Sequence, residues 1–234
     1  MPVFQLENAP YFPPPRLAEA SGLLAVGGDL GVERLVQAYA HGIFPWFSED
    51  SPILWWSPDP RMVLYPERFK VSKSLRNTLR KDTFKVQFDR AFGKVIHACA
   101  RVPRKDQPGT WITPGMIQAY IDLHEAGYAH SVEVYHGGDL VGGLYGVVLG
   151  KFFFGESMFH TRTDASKIVL TGLARYLERE GFVLLDCQVP NPHLFSMGAC
   201  QISRADFLEF LAEGGLGPEG VADKIRLCCL SFFR

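Results

Sequence analysis

No apolar run in the chain approaches the roughly 18 residues that a membrane span needs. The opening MPVFQLENAPYFPPP lacks the basic-then-apolar order of a secretion signal. Both absences lead us to expect a cytoplasmic protein. Cysteine is also sparse: there are five, an odd number, with no CxxC or Cys/His ligand spacing, and only Cys228 and Cys229 are adjacent. Adjacent cysteines rarely form a structural bridge, so reduced thiols and no structural metal are expected. Internal repeats and low-complexity segments are missing as well. What remains is the composition of a globular chain, 47% hydrophobic and 21% charged, long enough at 234 residues for one domain or two.

A net charge of −1 excludes little until the charges are placed. Arg61 to Lys105 holds 13 Lys/Arg against 3 Asp/Glu, a local +10, and the rest of the chain carries 11 against 22. A basic region of this kind can hold phosphates, and the acidic remainder can attract a cationic substrate. An exposed helix face accounts for any single Lys or Arg; concentration in a fifth of the chain is harder to explain that way.

Residues 1–60, rich in Pro, Gly and aromatics, are expected to form a small N-terminal domain with one helix, VERLVQAYAHG (32–42), stopped by Gly42. The prolines of SPDPR (57–61) mark the passage into a second domain, 61–234. There, two helical patterns flank the strand-like FKVQF. TPGMIQAYIDLHEAG (113–127) is a complete helix, with Thr113 as cap, Pro114 first and Gly127 past the end. AHSVEVY, DLVGGLYGVVLG and FFFGESMF read as an antiparallel meander, and DASKIVLTGLARYLEREG (164–181) as a helix capped by Asp164. FVLLDCQV returns as a strand and SRADFLEFLAEG (203–214) as a last helix. The fold class is α+β, a mixed, largely antiparallel sheet with helices. Its meander–helix–strand order resembles the acyl-CoA N-acyltransferase superfamily.

Glu156, Asp186 and Gln188 interrupt two of those strands where core residues belong. A buried carboxylate is costly unless paired, hydrogen-bonded or used, so the trio is either a site or a polar network that fixes the fold. Where the acyltransferase superfamily places a glycine loop for pyrophosphate, this chain has HTRTDASK without glycine, which argues against coenzyme A. Gly142, Gly143 and Gly146 lie within a strand and mark a bulge or the close approach of a ligand rather than a phosphate loop. Cys187, paired with His193, is a weaker nucleophile candidate, since alternation puts it opposite Asp186 and Gln188 as a buried structural thiol. His124, His130 and His160 lack metal spacing. Trp46, Trp55, Trp56 and Trp111 lie near loops; aromatic faces beside a basic region suit a single-stranded nucleic-acid end, although core filling explains each singly and Trp55 best.

The ordered set GLLAVGGDL, GIFPWF, ILWWSPDPR, GTWIT, LHEAGYAHSVEV, LVGGLYGV, FFFGESMF, ASK and LLDCQVPNPHLFSMGA, from about Gly22 to about Leu211, resembles the bacterial leucyl/phenylalanyl-tRNA–protein transferase family. The resemblance implies transfer of Leu or Phe, less well Met, from aminoacyl-tRNA to proteins beginning with Arg or Lys, which marks them for degradation. It implies an acyltransferase-type fold without coenzyme A or any other cofactor, and a monomer. Carried over by motif, Trp46, Trp111 and Tyr39 hold the terminal adenosine. Glu156, Asp186 and Gln188 surround the aminoacyl ester, with Asp186 accepting a proton or fixing the amine. Leu144, Phe153, Met158, Leu170 and Leu185 form the Leu/Phe pocket, Leu144 standing where the family often has Met. Lys73, Arg76 and Arg80 in the basic region are the candidates for tRNA phosphates. Two other readings stand beside this one: an acyl-CoA-dependent N-acetyltransferase and a non-catalytic RNA-binding module.

Overall fold

The structure, a computed structural model, describes residues 3–102 and 110–217. Arg104 and Lys105 of the basic region, the Cys228–Cys229 pair and the segment DKIRLCCLSFFR lie outside the described residues. Among the described residues no helix is long and apolar enough to cross a membrane.

Two sheets organise the chain. Strands β1 (Phe4–Leu6), β2 (Leu23–Gly27), β3 (Phe44–Pro45) and β4 (Leu54–Trp56) form the first, in the order β1-β2-β4-β3, with helix α1 (Val32–Ala40) between β2 and β3. Gly42 takes φ +70° after α1, the left-handed turn expected there. Trp55 is fully buried and its indole N–H donates to the Gly27 carbonyl at 2.8 Å, the core role expected of it.

The second sheet begins at β5 (Arg61–Leu64) and runs through β6 (Phe84–Phe88), β7 (Ala129–His136), β8 (Asp139–Leu149), β9 (Phe152–His160), β10 (Leu184–Gln188) and β11 (Cys200–Ile202). Its order is β11-β5-β10-β9-β8-β7-β6. The expected meander is β7–β8–β9, turned at Gly137 and Gly138, whose φ values of +62° and +94° suit a tight hairpin. β10 returns parallel to β9 and antiparallel to β5, so the sheet is mixed and the class is α+β.

Helices α2 (Lys73–Arg80), α3 (Phe92–Ala100), α4 (Pro114–Glu125), α5 (Ala165–Arg179), α6 (Pro192–Ser196) and α7 (Arg204–Glu213) complete the described chain. Thr113 caps α4 through its hydroxyl, which accepts the Met116 N–H at 3.2 Å. Asp164 does not cap α5 as expected. It sits at φ +65° and accepts instead from the Thr78 hydroxyl on α2 (3.1 Å) and the Lys167 ammonium (3.2 Å), which ties α2 to the start of α5. The core is continuous across both sheets: Tyr39 and Phe44 share one apolar cluster with Tyr120, Tyr145 and Phe154.

Candidate active site

β9 and β10 pair in register as far as Phe154 and Asp186, and there the pairing stops. Beyond that point each strand bulges against its other neighbour. Tyr145 and Gly146 of β8 pair with Ser157 and Gly155, leaving Glu156 as the extra residue. Met62 and Val63 of β5 pair with Gln188 and Asp186, leaving Cys187 as the extra one. A bulge bends its strand and re-aims side chains, and two side by side open the sheet. Gly146 is where the strands crowd: a Cβ there would lie 2.2 Å from the Phe154 carbonyl oxygen. The bulge expected at Gly146 is present, and the close approach there is made by the chain itself rather than by a ligand.

A cavity of about 330 Å³ occupies the opening. Leu144, Phe153, Met158, Leu170 and Leu185, the expected apolar pocket, all line it, and so do Glu156, Asp186 and Gln188 and both expected tryptophans, Trp46 and Trp111. Phe44 and Pro45 of β3 join them, so both sheets contribute to one wall. Lys73, Arg76 and Arg80 do not line it and stand exposed on α2. Cys187 departs from expectation: as the bulge residue it escapes strand alternation and lines the cavity beside Asp186 and Gln188. Its thiol is no ready nucleophile, because burial, reinforced by the Asp186 charge, pushes its pKa far above the usual thiol range. His193, offered as its base, is held towards the neutral form by burial and by Lys167.

The half-buried Glu156 is the centre of the polar wall. Its Oε1 accepts the Tyr39 hydroxyl and the Gln188 side-chain amide, each at 2.8 Å, and its Oε2 accepts the Tyr120 hydroxyl at 2.9 Å. The two tyrosine hydroxyls also contact each other. Burial, helped by the Asp186 charge, raises the Glu156 carboxyl to about 7 against the tyrosine and amide donors, which pull the other way. Burial and the Glu156 charge hold both phenols well above 10, so they act as neutral donors. Tyr39 therefore does not line the cavity; it comes from α1 to hold the carboxylate that does.

Asp186 is fully buried. Arg61 at the start of β5 grips it through both oxygens, Nε to Oδ1 at 2.9 Å and Nη2 to Oδ2 at 2.7 Å, and Oδ1 also accepts the Gln188 backbone N–H at 2.9 Å. The Arg61 guanidinium lies between the Phe44 and Phe207 rings, 4.8 and 4.6 Å from their centroids. Gln188 is held at φ +62°, a conformation costly for a non-glycine residue and here fixed by the Asp186 bond. Asp186 thus orients the Gln188 backbone. Since its Nε2 donates to Glu156, the Gln188 side chain presents its oxygen as an acceptor.

Sequence reasoning missed Arg61 and Tyr120. Arg61 left a signal, a charge opening the apolar run RMVL that needed a buried partner; Tyr120 was hidden within an apolar helical stripe. Among the described residues no cluster of His, Cys, Asp and Glu is arranged to hold a metal ion.

Residues 63–212 match the family described as Leucyl/phenylalanyl-tRNA protein transferase, and residues 28–59 match the N-terminal domain of that family. Proteins named leucyl/phenylalanyl-tRNA–protein transferase are similar over nearly the whole chain. That of Syntrophobacter fumaroxidans is 61% identical over 91% of this chain and 91% of its own length. That of Syntrophotalea carbinolica is 54% identical over 96% and 97%. Among solved structures, L-PGS from Bacillus licheniformis has a TM-score of 0.41 at 11% identity, covering 58% of this chain and 48% of that one. A GCN5-related N-acetyltransferase from Kribbella flavida has 0.33 at 11%, covering 70% and 58%. Likenesses that distant do not bear on chemistry, whereas the family matches and the identity across both parts of the chain do: this protein belongs to the leucyl/phenylalanyl-tRNA–protein transferases, a family of aminoacyltransferases.

Proposed function

We propose that the chain transfers Leu or Phe, and less well Met, from aminoacyl-tRNA to the N-terminal amine of proteins beginning with Arg or Lys, marking them for degradation. The observation that carries this reading is the cavity itself. Five apolar side chains that suit a Leu or Phe side chain lie in the same wall as a polar group built on Glu156 and Gln188 and as two tryptophans. An aminoacyl-adenosine has the same three parts: an apolar side chain, a reactive ester and an aromatic base.

In this reading the amino-acid side chain enters between Leu144, Phe153, Met158, Leu170 and Leu185, and the adenine stacks on Trp46 and Trp111. The ester needs no further activation, so the work is to hold an unprotonated amine against its carbonyl. The nitrogen lone pair forms the new C–N bond, the ester C–O bond breaks, and the amine proton ends on the ribose oxygen that leaves. The Gln188 oxygen accepts an N–H of the attacking amine and aims its lone pair. Asp186, gripped by Arg61, fixes the Gln188 backbone rather than taking the proton. Glu156 anchors the Gln188 amide and adds negative charge near a cationic acceptor. Lys73, Arg76 and Arg80 carry tRNA phosphates.

Incubating the protein with Leu-tRNA and an Arg-initiated peptide tests the proposal. Leucyl-peptide should form, with much less from an otherwise identical Glu-initiated peptide. Acetyl transfer from acetyl-CoA in place of leucyl transfer, or tRNA binding without transfer, would overturn it.

A further inference from the structure

The outer face of α5 carries a stripe at Gly172, Arg175, Tyr176 and Arg179, the i, i+3, i+4, i+7 spacing that places four residues on one side of a helix. It faces β6, the edge strand of the larger sheet, and the two enclose an open groove of about 750 Å³ that Phe88, Asp89 and Arg90 also line. Gly172 sets the depth, since a Cβ there would lie 2.7 Å from a Val86 methyl. The groove is distinct from the cavity, for which α5 supplies Leu170 and Leu173.

Its charge is one-sided. Arg90, Arg175 and Arg179 are exposed, and no carboxylate pairs with the Arg90 or Arg175 side chain among the described residues. Among the described residues the Arg179 guanidinium pairs with the exposed neighbouring Glu180, an ion pair of little weight, and lies 5.2 Å from the Tyr176 ring. Asp89 is turned inward, its carboxylate bonded to His130 Nδ1 at 2.6 Å and to the Ser131 N–H at 2.8 Å. Two of the three guanidinium groups thus have no carboxylate partner among the described residues, and all three border one groove.

We propose that this groove holds the sugar-phosphate backbone of the tRNA body, extending the basic face of α2 along α5. The proposal rests on the tRNA-dependent reading of the cavity. α2 is joined to the first residues of α5 through Thr78 and Asp164, and the groove arginines lie towards the other end, roughly 22 Å along the axis from Asp164 to Arg179. Together they make a track of exposed cations longer than a single phosphate site. A helix is about 10–12 Å across with its side chains. An unpaired acceptor end of a few nucleotides can therefore reach the cavity on one side of α5 while the duplex lies along the other. Open guanidinium forks on a surface groove suit repeated phosphates read without base contacts.

The triple variant Arg90→Ala, Arg175→Ala, Arg179→Ala of the full chain tests this. These side chains are exposed and outside the cavity, so folding should be retained, checked by the thermal transition. Affinity for several uncharged tRNAs should fall about ten-fold or more at moderate salt, and the slope of log affinity on log salt should shrink by roughly 2 to 3. Transfer from a short aminoacyl-adenosine donor should be unchanged. Unaltered tRNA affinity and salt slope in the folded variant would overturn the proposal, as would equal competition for the groove by polyglutamate of the same charge. If the unaltered protein used no aminoacyl donor at all, the transfer reading would fall, while the binding arm would still decide whether RNA occupies the groove.

Discussion

Asp186 spends its charge on Arg61, and that decides how its substitutions should behave. Deleting one partner of a buried pair leaves the other uncompensated, at a cost of about 3–5 kcal/mol. Asp186→Ala should therefore lose turnover on the order of 10²-fold or more, with tRNA affinity little changed, and lose stability as well. Asp186→Asn separates positioning from proton transfer: its side-chain oxygen can still accept the Gln188 N–H, so single-turnover transfer should fall less than ten-fold. An Asn variant as slow as Ala would restore Asp186 as the base. Glu156 titrates in the opposite sense to an ordinary paired carboxylate. Its folded pKa of about 7 lies above the ordinary carboxyl value of 4.5, so the native state holds the proton more tightly. The stabilisation is fully present below about 4.5 and is lost as pH rises through about 7. Urea unfolding at a series of pH values should show the protein losing stability relative to Glu156→Gln across that window. A constant difference between the two would mean that the carboxyl is not raised.

Element by element, the regular parts of the fold were written in local pattern: the meander, α4 with its Thr113 cap and the span of α5 follow from spacing and turn chemistry. What pattern could not supply was the pair of bulges. Strand alternation put Cys187 opposite Asp186 and Gln188, and one inserted residue moved it to the same cavity. Asp164 was misread for a related reason, since a carboxylate before a helix looks like a cap whether or not a neighbouring helix claims it first, as α2 does here through Thr78. α2 itself offers a test at this scale. Lys73, Arg76 and Arg80 are exposed, and no ion pair engages them among the described residues. Neutralising the three together should weaken binding of different tRNAs about equally and reduce the salt slope by roughly 2 to 3. An unchanged slope would place the phosphates elsewhere.

At the scale of the molecule, the candidate site joins segments far apart in sequence. Tyr39 and Trp46 come from the first part of the chain, Arg61 opens the larger sheet, and Asp186 completes a pair across 125 positions. The strands that carry Glu156 and Gln188 announced themselves as interrupted apolar runs, but their supports in Arg61, Tyr39 and Tyr120 depend on long-range packing, which no local pattern encodes. Trp46 and Trp111 belong to this scale, because one precedes and the other follows the whole of β5, α2, β6 and α3. If both stack on the donor's adenine, a short aminoacyl-adenosine analogue should bind the free protein, compete with charged tRNA and raise the thermal midpoint. At 100 times its Kd it should add about 2.7 kcal/mol of stability. Stacking is worth roughly 1–3 kcal/mol per base, so Trp46→Ala or Trp111→Ala should weaken analogue binding about ten- to a hundred-fold, and the corresponding Phe variants less, since a face remains. Trp46 also accepts the Trp56 indole N–H through its backbone carbonyl, at 2.7 Å, a bond that side-chain truncation leaves in place, so the folded variants report on stacking. Normal analogue affinity in both folded Ala variants would return the two tryptophans to core packing and send the adenosine to another wall of the cavity.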